Sequence, residues 1–333
     1  MLFGLVILVA VGFLLLRGGN QLALSATATP APTPSPTAEV ILTPRPELAT
    51  GGVEFCRGNP AFPKSVGYPA QVLMSTSERT IMGMAMYSVD KRPTPDNPRN
   101  GVYQHPTWDN AGYLGHIVVD EVGNIYAYPA PRVSLIDNPP GQQNTIYRVD
   151  TQTGEMKKWL DLPADPAPSS ENPFGILGLA YDCQNHTLYA SSVQGSSRSQ
   201  ELGRLYHINV AEAKIIGQYE SVDAFGMGVF NGSTGKRLYF GSARRPEVRS
   251  IALDGQGNFL GAPRVDLSLA GLGPVGDDRA RRVLFDENLN LTVRGIEFNF
   301  TLVATSEQRQ TPYRFGYDAA QDKWLFQGVL TGQ

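Results

Sequence analysis

The chain has 333 residues, of which 41% are hydrophobic and 18% charged, so it can form one large folded domain or two ordinary ones. A formal net charge of −3 argues against an electrostatic nucleic-acid binder, because such a protein needs a basic surface. Arg244–Arg245 and Arg279–Arg282 are local basic spots, and the sequence favours solvated faces for both. The 35 glycines and 25 prolines indicate many tight turns together with a low-complexity segment.

An unbroken apolar run, Leu2–Leu16, lies near the N-terminus and predicts one hydrophobic helix. Residues 1–19 are therefore interpreted as a transmembrane anchor or a signal segment. The absence of a basic stretch before the run favours an uncleaved anchor, and the small-x-small site at Ala26-Thr27-Ala28 lies far beyond it. Arg17, just after the run, opposes export, because positive charge tends to keep its side of a membrane protein in the cytoplasm.

Residues 20–52 are rich in proline and threonine, as in the run TATPAPTPSPTA. Proline fixes φ and lacks an N–H donor, so this stretch is expected to stay out of any sheet and to form a disordered, extended linker. Residues 53–333 are then the folded domain. An apolar segment followed by such a spacer predicts a cell-membrane protein with a single N-terminal anchor and an extracytoplasmic domain. Secretion after signal cleavage is the alternative.

Two cysteines, Cys56 and Cys183, are the only ones in the sequence. They form neither a Cys-x-x-Cys pair nor a Cys/His cluster, which argues against structural zinc. In an exported protein they can form one disulfide that ties the start of the domain to a later part. The sequence leaves this open, because it does not give the distance between the two Cα atoms.

Short runs of β-branched and aromatic residues, separated by Asp, Gly and Asn, recur from about residue 112 to the C-terminus. They form four units of roughly 50 to 60 residues with four predicted strands each, which is typical of propeller blades. The first turns of these units contain Asp120, Asp182, Asn231 and Asp286. Matching positions in the second strands are Tyr126, Tyr189, Tyr239 and Thr292.

Upstream, Met86–Asp90 repeats the pattern of Ile146–Asp150 and predicts a degenerate first blade over about residues 59–110. A sixth blade could lie in the connections 265–276 or 298–311. The expected fold is all-β, a β-propeller of five or six four-stranded blades after the helix and the linker. The Asp-x-x-Gly-Asn turns are expected to be structural, because Gly and Asn supply the positive φ that a reversal needs.

In a propeller, the loops that lead into the innermost strands converge on the mouth of the central channel, where binding usually occurs. These lead-in loops are residues 107–114, 170–175, 222–226 and 274–279. The candidate binding residues on or beside them are Trp108, Asp109, His116, Asn172, Asp223, Asp277, Asp278 and Arg279. Carboxylates around one axis favour a cation or a sugar, and Phe174, Phe225 and Trp108 could form an apolar wall or plug the core. For each residue the alternative is a turn cap or a solvated charge.

Recognisable catalytic patterns are absent from the sequence: it has no G-x-S-x-G, no H-E-x-x-H, no P-loop and no nicotinamide fingerprint. Its four histidines are not spaced as a ligand set. The predicted function is accordingly a ligand- or protein-binding module, with an unknown glycan, peptide or small molecule as the ligand and without nucleic acid. A purely structural surface protein is a further alternative.

One segment resembles a known family. Asp223–Val229 followed by Leu238–Tyr239 resembles a repeat of the regucalcin/gluconolactonase and NHL-like propellers, and Asn172 before Gly178–Asp182 is similar to another. The resemblance covers about residues 112–260. It implies a propeller, usually of six blades, with a divalent cation such as Ca²⁺ in the channel and Asn172 and Asp223 as ligands. It also implies the alternative function, a metal-dependent lactonase or related hydrolase.

Overall fold

The computed structural model describes residues 50–77, 81–88, 101–131, 135–163, 165–166, 171–302 and 309–330. The predicted N-terminal helix and nearly all of the predicted linker lie outside these ranges. The helices of the described part are α1 (Phe62–Ser65) and two 3-10 turns, Glu54–Cys56 and Pro140–Gln142. None of the helices described is long and apolar enough to cross a bilayer.

Five antiparallel sheets build the domain, which is an all-β propeller of five blades. The first sheet contains β2 (Leu73–Ser75), β3 (Ala85–Tyr87) and β4 (Val102–Tyr103). The second contains β5 (Val118–Val119), β6 (Ile125–Ala127), β7 (Thr145–Val149) and β8 (Met156–Asp161). The third contains β9 (Ile176–Asp182), β10 (Thr187–Ser192), β11 (Arg204–Asn209) and β12 (Lys214–Glu220).

The fourth and fifth sheets have longer strands. The fourth contains β1 (Gly51–Gly52), β13 (Ala224–Gly232), β14 (Gly235–Ser242), β15 (Glu247–Leu253) and β16 (Phe259–Ser268). The fifth contains β17 (Arg279–Phe285), β18 (Asn290–Ile296), β19 (Thr311–Asp318) and β20 (Lys323–Val329). The described residues thus contain the degenerate first blade and the four predicted units, and they contain no sixth sheet.

The register of the second strands repeats from blade to blade, as the sequence predicted. The residues at the matching second-strand positions pair with innermost-strand residues in the order Tyr126 with Val118, Tyr189 with Ala180, Tyr239 with Gly228 and Thr292 with Leu284. Because side chains alternate along a strand, this common register turns the same face of each blade toward its neighbour. Tyr126, Tyr189 and Tyr239 are fully buried, each in a separate cluster between two blades, whereas Thr292 is half-buried.

The Asp-containing turns are structural, which confirms the prediction. One carboxylate oxygen of Asp120 accepts hydrogen bonds from the backbone N–H groups of Val122 and Asn124, at 3.1 and 2.8 Å. Asp286 receives the same pair of bonds from Asn288 and Asn290, both at 2.9 Å. The side chain therefore closes the reversal between the first two strands of a blade.

The interfaces between neighbouring blades hold the core. Between the fourth and fifth blades, the fully buried ring of Phe230 lies 4.8 Å from Phe285, 4.9 Å from Tyr317 and 5.0 Å from Trp324, measured between ring centroids. Burying one side chain of this size contributes roughly 1.5–3 kcal/mol. The contact of one blade with the next is therefore the main stabilising interaction of the fold.

The segment before the first blade closes one end of the channel. β1 pairs with the C-terminal end of the innermost strand β13, with Gly52 opposite Phe230, and the N–H of Val53 donates to the carbonyl of Val229 at 3.0 Å. Gly51–Gly52 had been assigned to the linker and excluded from any sheet. That boundary is wrong by two residues, because the prolines that prevent pairing end before them.

A disulfide fixes the same segment, which answers the question that the sequence left open. Cys56 is bonded to Cys183 at the start of the third blade's first turn, directly after β9, with the two Cα atoms 5.9 Å apart. Next to it, Gly58 lies so close to the second blade that a Cβ atom there would stand 2.3 Å from the carbonyl oxygen of Glu121. The segment is therefore held by a strand pairing, a covalent bond and close backbone packing.

Candidate functional site

Residues from four successive blades line one cavity of about 70 Å³ at the mouth of the channel. Its lining comprises Leu114, Gly115, His116, Tyr128, Ala130, Pro131, Phe174, Leu177, Phe225, Arg281, Arg282, Ile296 and Phe298. By the usual requirement of about 10–15 Å³ for one water, the space suits a molecule of several heavy atoms. Of the candidate binding residues predicted from sequence, only His116 is among the residues lining this cavity.

Backbone bulges direct side chains into the cavity from three of the blades. Two residues of the innermost strand oppose one residue of the second strand at Leu177, at Phe225–Gly226 and at Arg281. A bulge leaves one residue out of the ladder and turns its side chain away from the regular alternation. Leu177, Phe225 and Arg281 all line the cavity for this reason.

The second blade reaches the cavity through an interrupted strand. Only an isolated bridge, Leu114 with Pro129, precedes β5, so Gly115 and His116 lie outside the ladder. The N–H of Gly115 donates to the carbonyl of Tyr128 at 2.9 Å, and the ring of Tyr128 covers Gly115 so closely that an added Cβ would lie 2.2 Å from it. The Tyr128 hydroxyl donates to the carbonyl of Leu177 at 2.9 Å and so joins the second blade to the third.

The charged part of the lining is cationic. Arg281 and Arg282 both face the cavity, and Arg294 lies directly opposite Arg282 on β18. Burial, with the nearby charges of Arg281 and Arg294, lowers the pKa of Arg282 to about 10. Burial and the surrounding arginines, Arg282 foremost, also lower the pKa of His116 to about 3, so this imidazole is neutral at physiological pH.

The expectation of a solvated face for Arg279–Arg282 is therefore wrong for its last two members. The bulge at Arg281 makes two consecutive residues face the channel, where a regular strand would send one of them to the opposite face. Alternation read from the sequence does not reveal such an insertion.

Three phenylalanines form the apolar side of the cavity. The ring of Phe298 lies 4.5 Å from Phe225 and 5.3 Å from Phe174, and Phe225 and Phe298 meet edge to face. The predicted apolar wall is present for Phe174 and Phe225. Its third expected member, Trp108, is replaced by Phe298, which follows β18 of the fifth blade.

Trp108 and Asp109 lie away from the cavity lining. The side chain of Trp108 is fully buried in the core of the first two blades, 5.7 Å from the ring of Phe62 and 5.5 Å from that of Tyr103. Its indole N–H donates to the carbonyl of Gly154 at 2.8 Å. Asp109 is exposed on the turn that follows.

Asn172 and Asp223 are buried and brace loops. The side-chain amide of Asn172 donates to the carbonyl of Val193 at 2.7 Å, and its oxygen accepts from the N–H of Phe174 at 3.0 Å. Asp223 accepts from the N–H of Gly203 at 3.0 Å and pairs with Arg244 at 2.9 Å. It also accepts a hydrogen bond from the Ser196 hydroxyl.

No cluster of three or more His, Cys, Asp or Glu side chains that could hold a metal occurs among the described residues. The oxygens of Asn172 and Asp223 are occupied by the hydrogen bonds given above. A metal-binding role for these two residues stays a prediction, as does the lactonase activity that depends on it.

The last predicted group lies beside the cavity. Arg279 pairs with Asp277 at 2.6 Å, and both line an adjoining, more open cavity of about 460 Å³ that shares Phe298 with the first. Asp278 is buried and accepts a hydrogen bond from the Tyr313 hydroxyl at 2.6 Å. Asp277 and Arg279 thus lie at the mouth, whereas Asp278 belongs to the packing of the fifth blade.

Comparisons with known proteins give a likeness of fold. No family model matches the chain, and no curated protein matches it. The chain is similar to a luciferin-regenerating enzyme, with 12% identity, a TM-score of 0.49 and coverage of 78% of this chain and 72% of that one. It is also similar to a streptogramin B lyase, with 11% identity, a TM-score of 0.38 and coverage of 85% and 87%. An auxiliary nutrient binding protein from Bacteroides ovatus matches at 11% identity and a TM-score of 0.37, over 73% of this chain and 51% of that chain.

Proposed function

We propose that this protein is an extracytoplasmic binding module, tethered to the membrane by its N-terminal segment, that takes a ligand into the mouth of its propeller channel. The observation that carries the proposal is that the two ends of the channel differ. Segments of four blades line a cavity at one end, and β1 lies at the other end. A pocket with one opening and a rigid wall is the usual form of a ligand site.

The two ends are well separated along a single strand. Phe225 lines the cavity near the start of β13, and Phe230 pairs with Gly52 near the end of that strand. At about 3.3 Å per residue these positions are roughly 17 Å apart. The ligand therefore enters from the cavity side, and the disulfide-linked segment lies at the opposite end of the channel.

The disulfide between Cys56 and Cys183 supports a location outside the cytoplasm. Disulfides persist in oxidising compartments and are rare where thiols are kept reduced. If the domain is exported, thiol labelling of the denatured protein from its native host gives no modified cysteine until a reductant is added. Labelling of both cysteines without reductant would contradict this part of the proposal.

A bulky substitution inside the cavity tests the binding site. Leu177 is 8% exposed and sits at a bulge, so Leu177→Trp fills the cavity with little disturbance of the ladder. Leu260→Trp is the matched control, because Leu260 is 49% exposed on β16. We expect that a panel of short glycans, peptides, small organic acids and neutral small molecules contains a ligand bound by the wild type and the control, and lost in Leu177→Trp. If no compound binds, or if binding survives in Leu177→Trp, the proposal is wrong.

A further inference from the structure

We propose that the cavity binds a small organic anion, a carboxylate attached to an aromatic or short aliphatic body. This inference rests on the proposed function and narrows it to one chemical class. It follows from two features of the lining: the consecutive residues Arg281 and Arg282, and a group of phenylalanine rings.

The guanidinium side is built by the fifth blade. The bulge at Arg281 brings Arg281 and Arg282 to the same cavity from consecutive positions. A guanidinium group offers a planar fork of N–H donors that matches the two oxygens of a carboxylate.

The charges of Arg282 and Arg294 are not neutralised by carboxylates in the described part of the chain. The arginine–carboxylate ion pairs found there include neither of these two residues. The buried Nε–H of Arg294 has no hydrogen-bond partner among the described residues. Glu54, the carboxylate of the segment that closes the channel, is paired with Arg57 at 2.8 Å.

The arrangement is unfavourable without a ligand. Like charges directly opposite each other on neighbouring strands destabilise a sheet, and Arg282 and Arg294 are such a pair. Burying a cation without a partner adds to this cost. An anion bound beside Arg282 would offset both terms, so the empty protein stores free energy that a suitable ligand recovers.

The apolar part of the lining selects the rest of the ligand. Phe174, Phe225 and Phe298 present carbon surface, the imidazole of His116 is neutral, and the Tyr128 hydroxyl already donates to the carbonyl of Leu177. A fully hydrated anion such as phosphate would lose water on that side without new hydrogen bonds. An aromatic ring or short alkyl group would instead bury its surface against the phenylalanines.

Calorimetric titration of the full chain, with its disulfide intact, tests this inference with defined probes. Benzoate, phenylacetate and butyrate carry the proposed chemistry, benzamide is the neutral analogue of benzoate, and inorganic phosphate is an anion without an apolar body. Because a hydrogen bond to a charged group is worth about 1.5–3 kcal/mol, at least one carboxylate should bind roughly 10-fold or more tighter than benzamide or phosphate.

Variants of the fifth blade identify the group responsible. Arg282→Met should weaken binding of that carboxylate about 10-fold or more, and Arg282→Lys should retain part of the affinity because it keeps the charge. Arg314→Met is the matched control, since it removes an arginine of the same sheet that pairs with Asp286 and does not line the cavity. Thermal unfolding of each variant verifies that it is folded.

Several results would overturn the inference: no saturable binding of any of the three carboxylates up to about 10 mM, benzamide or phosphate binding as well as the best carboxylate, or unchanged affinity in folded Arg282→Met. These results differ from failure of the proposed function. A neutral ligand from the panel that is lost in Leu177→Trp would leave the binding module intact and would refute only its preference for organic anions.

Discussion

The two ends of the channel are made from the same innermost strands, but the strand pairing is regular at one end and bulged at the other. At the closed end, β13 keeps a regular ladder and adds β1 as a further strand. At the mouth, the same strand is bulged at Phe225–Gly226, and the neighbouring innermost strands are bulged at Leu177 and Arg281. At the closed end, the backbone groups of β13 are hydrogen-bonded to another strand. At the mouth, the bulges turn side chains toward a cavity.

The side chains follow the same division. Val53 at the closed end is fully buried among apolar residues, and the disulfide lies close to it in sequence. At the mouth, Arg282 is opposed by Arg294 and partly removed from water. The comparison teaches that stability is concentrated at the closed end and that the mouth carries interactions unfavourable to the empty fold, as functional sites often do.

Removal of the disulfide, which lies at the closed end, should change the free energy of unfolding more than any other substitution considered. The bond spans 127 residues, so replacing Cys56 and Cys183 by serine should lower the free energy of unfolding by about 4–5 kcal/mol. Guanidinium unfolding of the wild type, with and without a reductant, and of the double variant measures this. The double variant should not respond to the reductant. Equal stability of the wild type and the double variant would mean that β1 pairing alone holds the segment.

Asp223 is a residue of the mouth with a structural role, and its substitution separates that role from metal binding. Asp223→Asn should lower the free energy of unfolding by about 1.5–3 kcal/mol, because it weakens the charged bonds to Arg244 and Gly203. Elemental analysis of the purified full chain should show the same metal content in wild type and variant. Asp277→Asn is the control, since Asp277 is exposed and pairs only at the surface. A divalent metal present in the wild type and lost in Asp223→Asn would favour the lactonase alternative.

Glu54 gives the closed end a pH dependence. Burial raises the pKa of its carboxyl from 4.5 to about 6, against the opposing effect of Arg57. Between these values the folded protein retains a proton that the unfolded chain has released, so stability decreases as the pH rises from 4.5 to 6, by up to about 2 kcal/mol. Comparing unfolding free energies of the wild type and Glu54→Gln across this range isolates the effect. Glu155→Gln, at an exposed pair with Lys157, should behave like the wild type. An identical slope in Glu54→Gln would refute the assignment.

Arg294→Met should have the smallest effect, and it should be favourable. It removes the like charge opposite Arg282 and should raise the free energy of unfolding by about 0.5–1 kcal/mol without ligand. Thermal unfolding detects this change, with Arg314→Met as a control that should not be stabilised because it loses its contact to Asp286. A loss of stability in Arg294→Met would show that the mouth is not electrostatically strained.

Much of the fold could be predicted from local patterns. The strands around Tyr126, Tyr189 and Tyr239 and the turns at Asp120 and Asp286 are specified by nearby residues, namely β-branched or aromatic runs and a carboxylate that caps its own turn. The strand formed by Gly51–Gly52 could not be predicted, because its partner lies about 180 residues away and two glycines carry no strand signal.

The candidate site was predicted less well, for a related reason. The position of the mouth followed from the propeller arrangement, and His116, Phe174 and Phe225 lie there. Which side chains point inward depends on bulges, and a bulge changes the register without leaving a consistent mark in the sequence. Arg281 and Arg282 were missed for that reason, whereas Phe298 was missed because it follows a second strand and lies outside the lead-in loops. Trp108 was placed at the mouth although its indole is packed in the core.

The bulges at Leu177, Phe225 and Arg281 have a consequence for how such a protein can change. A bulged residue lies outside the ladder, so exchanging it leaves the strand pairing of its own blade in place, although the ring of Phe225 also contacts Phe298 of the next blade. Each blade can therefore alter its contribution to the pocket without changing its own ladder, and new specificities could arise by single exchanges at these three positions. The repeated architecture would then serve as a constant frame for a variable lining.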